Sequence, residues 1–244
     1  MDTHSYLIGI LGGMGPAATV DFMAKVIALT RASGDQEHLP LLVASIPNIP
    51  DRTAALTGTG VSPLPQLKTC LTMLETAGVQ CVVMPCNTAH YWFSDLRASA
   101  NAGTEMISII DAVVDDALRK NVTRLGLLST DATLLTNLYQ KPLTWHGMTC
   151  LTPDAGGQKQ VMKSINMLKV GDGEKAVMLM ETQYRQLLAR GAEKVILGCT
   201  EIPVILRKPL AQTPEFFIDS NAALARATIR WYEKKVGKEL LKEE

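Results

Sequence analysis

The stretch Gly9-Ile-Leu-Gly-Gly-Met-Gly-Pro-Ala-Ala-Thr19 follows the apolar run Tyr6-Leu7-Ile8. An apolar run, a knot of glycines and then proline with alanines read as a strand, a tight turn and a helix start. Pro16 suits the first helical turn, where its missing N–H has no partner to lose. Within the stretch, Gly13-x-Gly15-x-x-Ala18 fits the G-x-G-x-x-G/A pattern of dinucleotide sites. A helix N-terminus of this kind attracts anions of any identity. A nicotinamide dinucleotide would also need an acid about 20 residues on, at the end of the second strand. Asp35 has that spacing, but it sits in Ser33-Gly-Asp-Gln36, ahead of the second strand, which ends near Ile46-Pro47-Asn48. The turn therefore predicts an α/β protein and leaves the anion open.

Outward from this turn, short apolar runs alternate with helical periodicity. The strands predicted are Tyr6–Leu11, Pro40–Ile46, Val79–Met84, Met106–Ile110, Arg124–Ser129, Met148–Thr152, Lys194–Gly198 and Glu215–Ile218. Most are continuous apolar runs, as strands covered on both faces should be. Between them, Val20, Met23, Ala24 and Ile27, then Leu64, Leu67, Leu71 and Leu74, and later Leu224, Ala227 and Trp231 recur at helical spacing. Such alternation predicts parallel sheets flanked by helices.

The chain also repeats itself weakly. Val82-Val-Met-Pro-Cys-Asn-Thr88 resembles Val195-Ile-Leu-Gly-Cys-Thr200, Met106-Ile-Ser-Ile-Ile-Asp111 resembles Glu215-Phe-Phe-Ile-Asp219, and Ile8-Gly-Ile-Leu11 resembles Leu125-Gly-Leu-Leu128. Two pseudo-symmetric α/β lobes follow: residues 1–104 with 215–244, and residues 105–214. Ligands of open α/β sheets bind beyond the carboxyl ends of the strands, so the expected active site is a cleft between two such ends.

The 244 residues are 47% hydrophobic, enough for a sizeable core, and carry zero formal net charge. No nucleic-acid footprint appears, and no apolar run is long enough to span a membrane. Met1-Asp-Thr-His-Ser5 lacks the basic start of a signal peptide, so a cytoplasmic protein is expected. The mixed-charge tail Lys234–Glu244 reads as a solvated end. Five cysteines without a C-x-x-C or a Cys/His cluster argue against zinc and against a disulfide framework.

Two of those cysteines stand apart. Cys86 and Cys199 each follow a buried strand and precede a predicted helix start, where backbone N–H groups and the helix dipole favour a thiolate. Cys70, Cys81 and Cys150 fall inside predicted elements and read as core thiols. Two thiols facing one carbon can remove a proton from one face and deliver a proton to the other. That two-base inversion requires no metal and no cofactor, provided fixed donors near the substrate carboxylate acidify the carbon.

In this order and spacing, "GILGGMGP", "PDRT", "MPCNTAH" and "GCTE" resemble the aspartate/glutamate racemase family, in particular its aspartate racemase branch. The resemblance spans essentially the whole chain. It implies two pseudo-symmetric α/β domains, a homodimer, and racemisation of a small acidic amino acid without pyridoxal phosphate. It makes Cys86 and Cys199 the acid/base pair. It also implies that Met14 and Gly15 line the substrate site, that Asn87, Thr88 and Thr200 donate to the substrate α-carboxylate, and that Arg52 and Lys159 meet the distal carboxylate. Asn and Thr at those places also suit helix capping. Glutamate racemases follow the second cysteine with Thr-His and open with Asp-Ser, whereas this chain has Glu201 and Gly12-Gly13-Met14-Gly15, which favours aspartate. His90 and Glu201 are candidate tuners of the neighbouring thiols, or plain packing and capping residues.

Three other readings remain. A related carboxylate-handling enzyme, of the hydantoin racemase or maleate isomerase type, would share a cysteine but differ in what flanks it. An NAD-dependent dehydrogenase rests on the glycine turn alone. A non-catalytic amino-acid binder would need neither thiol.

Overall fold

The computed structural model describes residues 6–169 and 173–242. The expectations for Met1–Ser5 and for the last two residues of the tail fall outside the described residues. The chain divides into two units, Met1–Ala112 with Asn221–Glu244, and Val113–Ser220.

In the first unit, β1 (Ile8–Gly12), β2 (Leu41–Ser45), β3 (Cys81–Val83) and β4 (Glu105–Ile107) form one parallel sheet in the order β2-β1-β3-β4. Ile8 pairs with Leu41 on one side and with Cys81 on the other. In the second unit, β5 (Arg124–Ser129), β6 (Thr149–Leu151), β7 (Lys194–Gly198) and β8 (Phe217–Asp219) repeat the arrangement as β6-β5-β7-β8. All eight predicted strands are present: β5 and β7 have the predicted bounds, β2, β3 and β6 are shorter, and β1, β4 and β8 are shifted by a residue or more. β1 and β3 are buried along their whole length, and β5 and β7 nearly so, which explains their unbroken apolar sequences.

The expected division, 1–104 with 215–244 and 105–214, is displaced at both joins. β4 pairs with β3 and closes the first sheet, whereas β8 pairs with β7 and closes the second. Each is reached from its neighbour by a helical crossover, through Phe93–Ser99 before β4 and through Ile202–Ile205 and Arg207–Gln212 before β8. Consecutive strands joined by a helical crossover are neighbours in one sheet more often than not. The helix after each strand is what changes unit: the boundary falls within Ile109–Arg119, and Ser220–Val236 belongs to the first unit from Asn221 on. There Asn221 Nδ2 donates to the Ala18 carbonyl at 3.2 Å and to Asp21 Oδ2 at 2.8 Å.

The two helical stripes read near the N-terminus behave differently. Leu67, Leu71 and Leu74 of helix Leu64–Thr76 are buried in the first unit's core. Helix Pro16–Leu29 instead buries Ala18, Thr19, Phe22 and Val26, while Val20 is 65% and Ile27 52% exposed. The helix is apolar on more than one face, so spacing located it without showing which side packs. Among the described residues no helix is long and apolar enough to cross a membrane.

Candidate active site

In each sheet the chain first steps to one side of the opening strand and then to the other. This reversal puts the carboxyl ends of β1 and β3, and of β5 and β7, at a topological switch point, where open α/β sheets hold their ligands. Met14, Gly15, Cys86, Asn87 and Thr88 lie in the loops at these ends in the first unit, and Cys199 and Thr200 in the second; Arg52 joins the first group through the Met14 carbonyl, whereas Lys159 stands apart on a helix.

In the first unit the turn after β1 is held from within. Gly13 has φ +90°, and a Cβ there would lie 2.2 Å from the Ile46 nitrogen, so only glycine fits. Its N–H donates to Thr19 Oγ1 at 2.9 Å. Met14 is buried in the core, and Gly15 caps helix Pro16–Leu29 without any side-chain cap. The Arg52 guanidinium donates to the carbonyls of Ile49 (3.2 Å), Pro50 (3.1 Å) and Met14 (3.4 Å). Arg52 opens helix Arg52–Leu56, whose N-cap Asp51 accepts from the Ala54 N–H at 2.7 Å. That helix packs on the Thr88–Trp92 turn. Met14, Gly15 and Arg52 thus belong to one assembly beside the Cys86 loop.

Cys86 lies three residues beyond β3, in a tight turn closed by its own N–H on the Met84 carbonyl at 2.8 Å. Cys86, Asn87 and Thr88 are all buried. His90 brackets the loop: its Nδ1 lies 2.8 Å from the Cys86 carbonyl, and its Nε2 accepts the Ile109 N–H at 2.9 Å. With one ring nitrogen accepting and the other donating, the imidazole is neutral. Complete burial outweighs the Cys86 carbonyl bond and lowers its pKa to about 4. The ring also stacks on Phe93, centroids 5.0 Å apart. His90 is therefore a neutral brace between the loop and the helix beginning at Ile109.

In the second unit Cys199 follows β7 directly, with Cys199 and Thr200 buried. The Cys199 thiol donates to Glu201 Oε2 at 2.9 Å, and Thr200 Oγ1 lies 3.5 Å from the same oxygen. Beside it, at the end of β5, Thr130 caps helix Asp131–Leu135 by accepting from the Thr133 N–H. Tyr139 packs against the strand end, 3.2 Å from where a Cβ on Gly198 would stand. Burial, then Asp219, then Cys199 push its phenol well above the ordinary value. Lys159 is exposed on helix Ala155–Lys169, which packs against β5 and against helix Ile202–Ile205.

One physical expectation changes. The helix start after Cys86 is a 3-10 turn, Thr88–Trp92, that runs straight into helix Phe93–Ser99, and the one after Cys199 is a single α-turn, Ile202–Ile205, followed by helix Arg207–Gln212. Broken starts of this kind align fewer peptides behind each thiol than one regular α-helix would, so the macrodipole favours a thiolate less. Of the other three thiols, Cys70 and Cys81 are buried, as expected, and burial raises both, whereas Cys150 is half-buried, with its pKa pushed up to about 12.

The sequence reading missed Thr19, Thr130, Tyr139 and Asp219 at these strand ends. Thr130 carried a usable signal, a threonine directly after a strand and ahead of a short helix. Tyr139 carried none, because its neighbours come from β7 and β8. The dinucleotide reading loses ground: Asp35 lies in the 3-10 turn Asp35–Glu37 ahead of β2, and Ile46 covers Gly13.

Residues 11–228 match the model of the Asp/Glu/hydantoin racemase family, and the chain belongs to that family. A solved aspartate racemase from Picrophilus torridus is 33% identical, with 96% of each chain covered and a TM-score of 0.83. The broad-specificity amino-acid racemase RacX of Bacillus subtilis is 27% identical over 234 residues, covering 93% of this chain and 98% of that protein. A glutamate racemase from Francisella tularensis shares the fold at 16% identity, covering 98% of this chain and 85% of that one, with a TM-score of 0.70.

Proposed function

We propose that this protein interconverts L- and D-aspartate without pyridoxal phosphate, using Cys86 and Cys199 as a thiolate/thiol pair. The observation that carries this reading is the equivalence of the two loops. Each sheet delivers one buried cysteine at the carboxyl end of the equivalent strand, with a threonine one or two residues on. The likeness to the Picrophilus torridus aspartate racemase supports aspartate as substrate, and the likeness to RacX leaves room for glutamate. The homodimer implied by the resemblance and the cytoplasmic location expected from the sequence belong to the same proposal.

In this mechanism one sulfur takes the Cα proton as the other gives its proton to the opposite face. The C–H pair of electrons stays on the substrate until the new C–H bond forms. Donors at the α-carboxylate stabilise that charge. Asn87, Thr88 and Thr200, with the uncapped start of helix Pro16–Leu29, supply them. Arg52 keeps guanidinium hydrogens beyond those given to its three carbonyls, enough to grip a distal carboxylate. Lys159 adds a second positive charge. Met14 and Gly15 shape the wall, and the bond from Arg52 to the Met14 carbonyl couples the wall to the clamp.

Incubating the full chain with L-aspartate in D2O tests the proposal. Loss of optical rotation with deuterium entering Cα is expected, and inert aspartate and glutamate would overturn the substrate reading. Arg52→Ala should impair aspartate far more than alanine. An equal effect on both would remove Arg52 from the clamp.

A further inference from the structure

The contact between Cys199 and Glu201 has no part in the proton relay as described. The sulfur donates to a carboxylate oxygen at 2.9 Å, in a site where Cys199 is only 6% exposed. Ionising the thiol would bring two negative charges into hydrogen-bond contact in a partly buried site, and such a pair resists losing its last proton. The surroundings in this unit add to the effect. Asp219 stands on β8 in register with Leu197, and it acts on the buried Tyr139 phenol together with Cys199. Cys199 thus meets the Glu201 carboxylate from its own loop and stands close enough to the Tyr139 phenol to act on it, as Asp219 does from the next strand end. The Cys86 loop is followed instead by the neutral Asn87 and Thr88 and braced by the neutral His90.

We infer that Glu201 holds the proton on Cys199, which makes this thiol the loaded acid of the ligand-free protein and leaves Cys86 to act first as base. The catalytic consequence rests on the racemase reading, whereas the titration of the thiol does not. In the first half of a turnover the Cα proton passes to Cys86 as a thiolate, and the Cys199 S–H bond breaks to form the new Cα–H bond. The charge then left on Cys199 lies against the Glu201 carboxylate. The pair therefore regains a proton from solvent, while Cys86 releases one. One proton is gained and one lost, and the resting state returns.

The test is site-resolved alkylation of the full, ligand-free chain with iodoacetamide between about pH 6 and pH 10, followed by peptide mass spectrometry. The midpoint of the pH profile reports the thiol's ionisation independently of its accessibility. Cys199 is expected to have a midpoint above the ordinary thiol value of about 8.5, and at least about one unit above that of Cys86. Glu201→Gln should lower the Cys199 midpoint by about one unit and leave that of Cys86 in place. An unchanged midpoint in Glu201→Gln overturns the inference. So does a wild-type Cys199 midpoint at or below that of Cys86, a measurement that needs no variant to fold. A shifted midpoint in a protein that racemises neither amino acid would sink the racemase reading and leave the role of Glu201 standing.

Discussion

The loop after β3 and the loop after β7 are built on one plan and finished with different chemistry. Both leave the second of two central strands, both bury a cysteine and a threonine, and both lead into a short helical turn with a further helix behind it. At Cys86 the nearby titratable side chain, His90, grips main chain and is kept neutral. At Cys199 it is Glu201, and it grips the sulfur. The neighbouring strand ends diverge as well. Unit one turns through Gly13 with φ +90° and no side-chain cap, whereas unit two turns through the hydroxyl cap of Thr130. A duplicated frame fixes where the two cysteines stand, and the residues beside them differ between the copies.

Loss of either sulfur makes the largest break in that comparison. Cys86→Ser and Cys199→Ser should each lower two-way aspartate racemisation at least ~10²-fold, because an alcohol cannot replace a thiol near its pKa as acid or base. Either variant retaining normal interconversion would show that the loops are not functional equivalents.

The strand-end turns come next. Gly13→Ala places a Cβ against the Ile46 backbone at an unfavourable φ and should destabilise the protein by about 3 kcal/mol or more. Removing the counterpart cap with Thr130→Ala should cost only about 1 kcal/mol. Urea midpoints decide it, and similar losses in both would mean that the glycine turn is no more constrained than the hydroxyl one.

His90 gives an effect of about 2–3 kcal/mol that appears only with pH. Its pKa of about 4 when folded lies below the ordinary 6.5, so between those values the unfolded chain binds more protons. Stability from the neutral brace is complete above about pH 6.5 and is lost as pH falls towards 4. Comparing urea unfolding at pH 7 and pH 4.5, wild type should lose about 2–3 kcal/mol more than His90→Asn. Equal losses would show that the imidazole is not buried neutral.

Much of the frame was legible in the sequence because its signals are local. Eight apolar runs with helical spacing between them announced two parallel sheets, and the repeated Cys-containing strand ends marked Cys86 and Cys199. The assignment of β4 and β8 was not legible, since the repeat shows that they correspond without showing which sheet each joins. Nor was the packed face of helix Pro16–Leu29, whose exposed Val20 and Ile27 are as apolar as its buried Phe22 and Val26. The Arg52 loop was visible as a motif, but its bond to the Met14 carbonyl spans 38 positions in the chain.

The sequence by itself determined the α/β class, the two-fold repetition, the family and the equivalent places of Cys86 and Cys199 after their strands, because periodicity and motif spacing are properties of neighbouring residues. Tertiary structure decided that His90 is a neutral brace joining Cys86 to Ile109 and that β8 brings Asp219 up beside β7. It also turned Glu201, two residues from Cys199, onto the sulfur. Burial and hydrogen-bond partners exist only once distant segments pack, and they govern where a proton can rest.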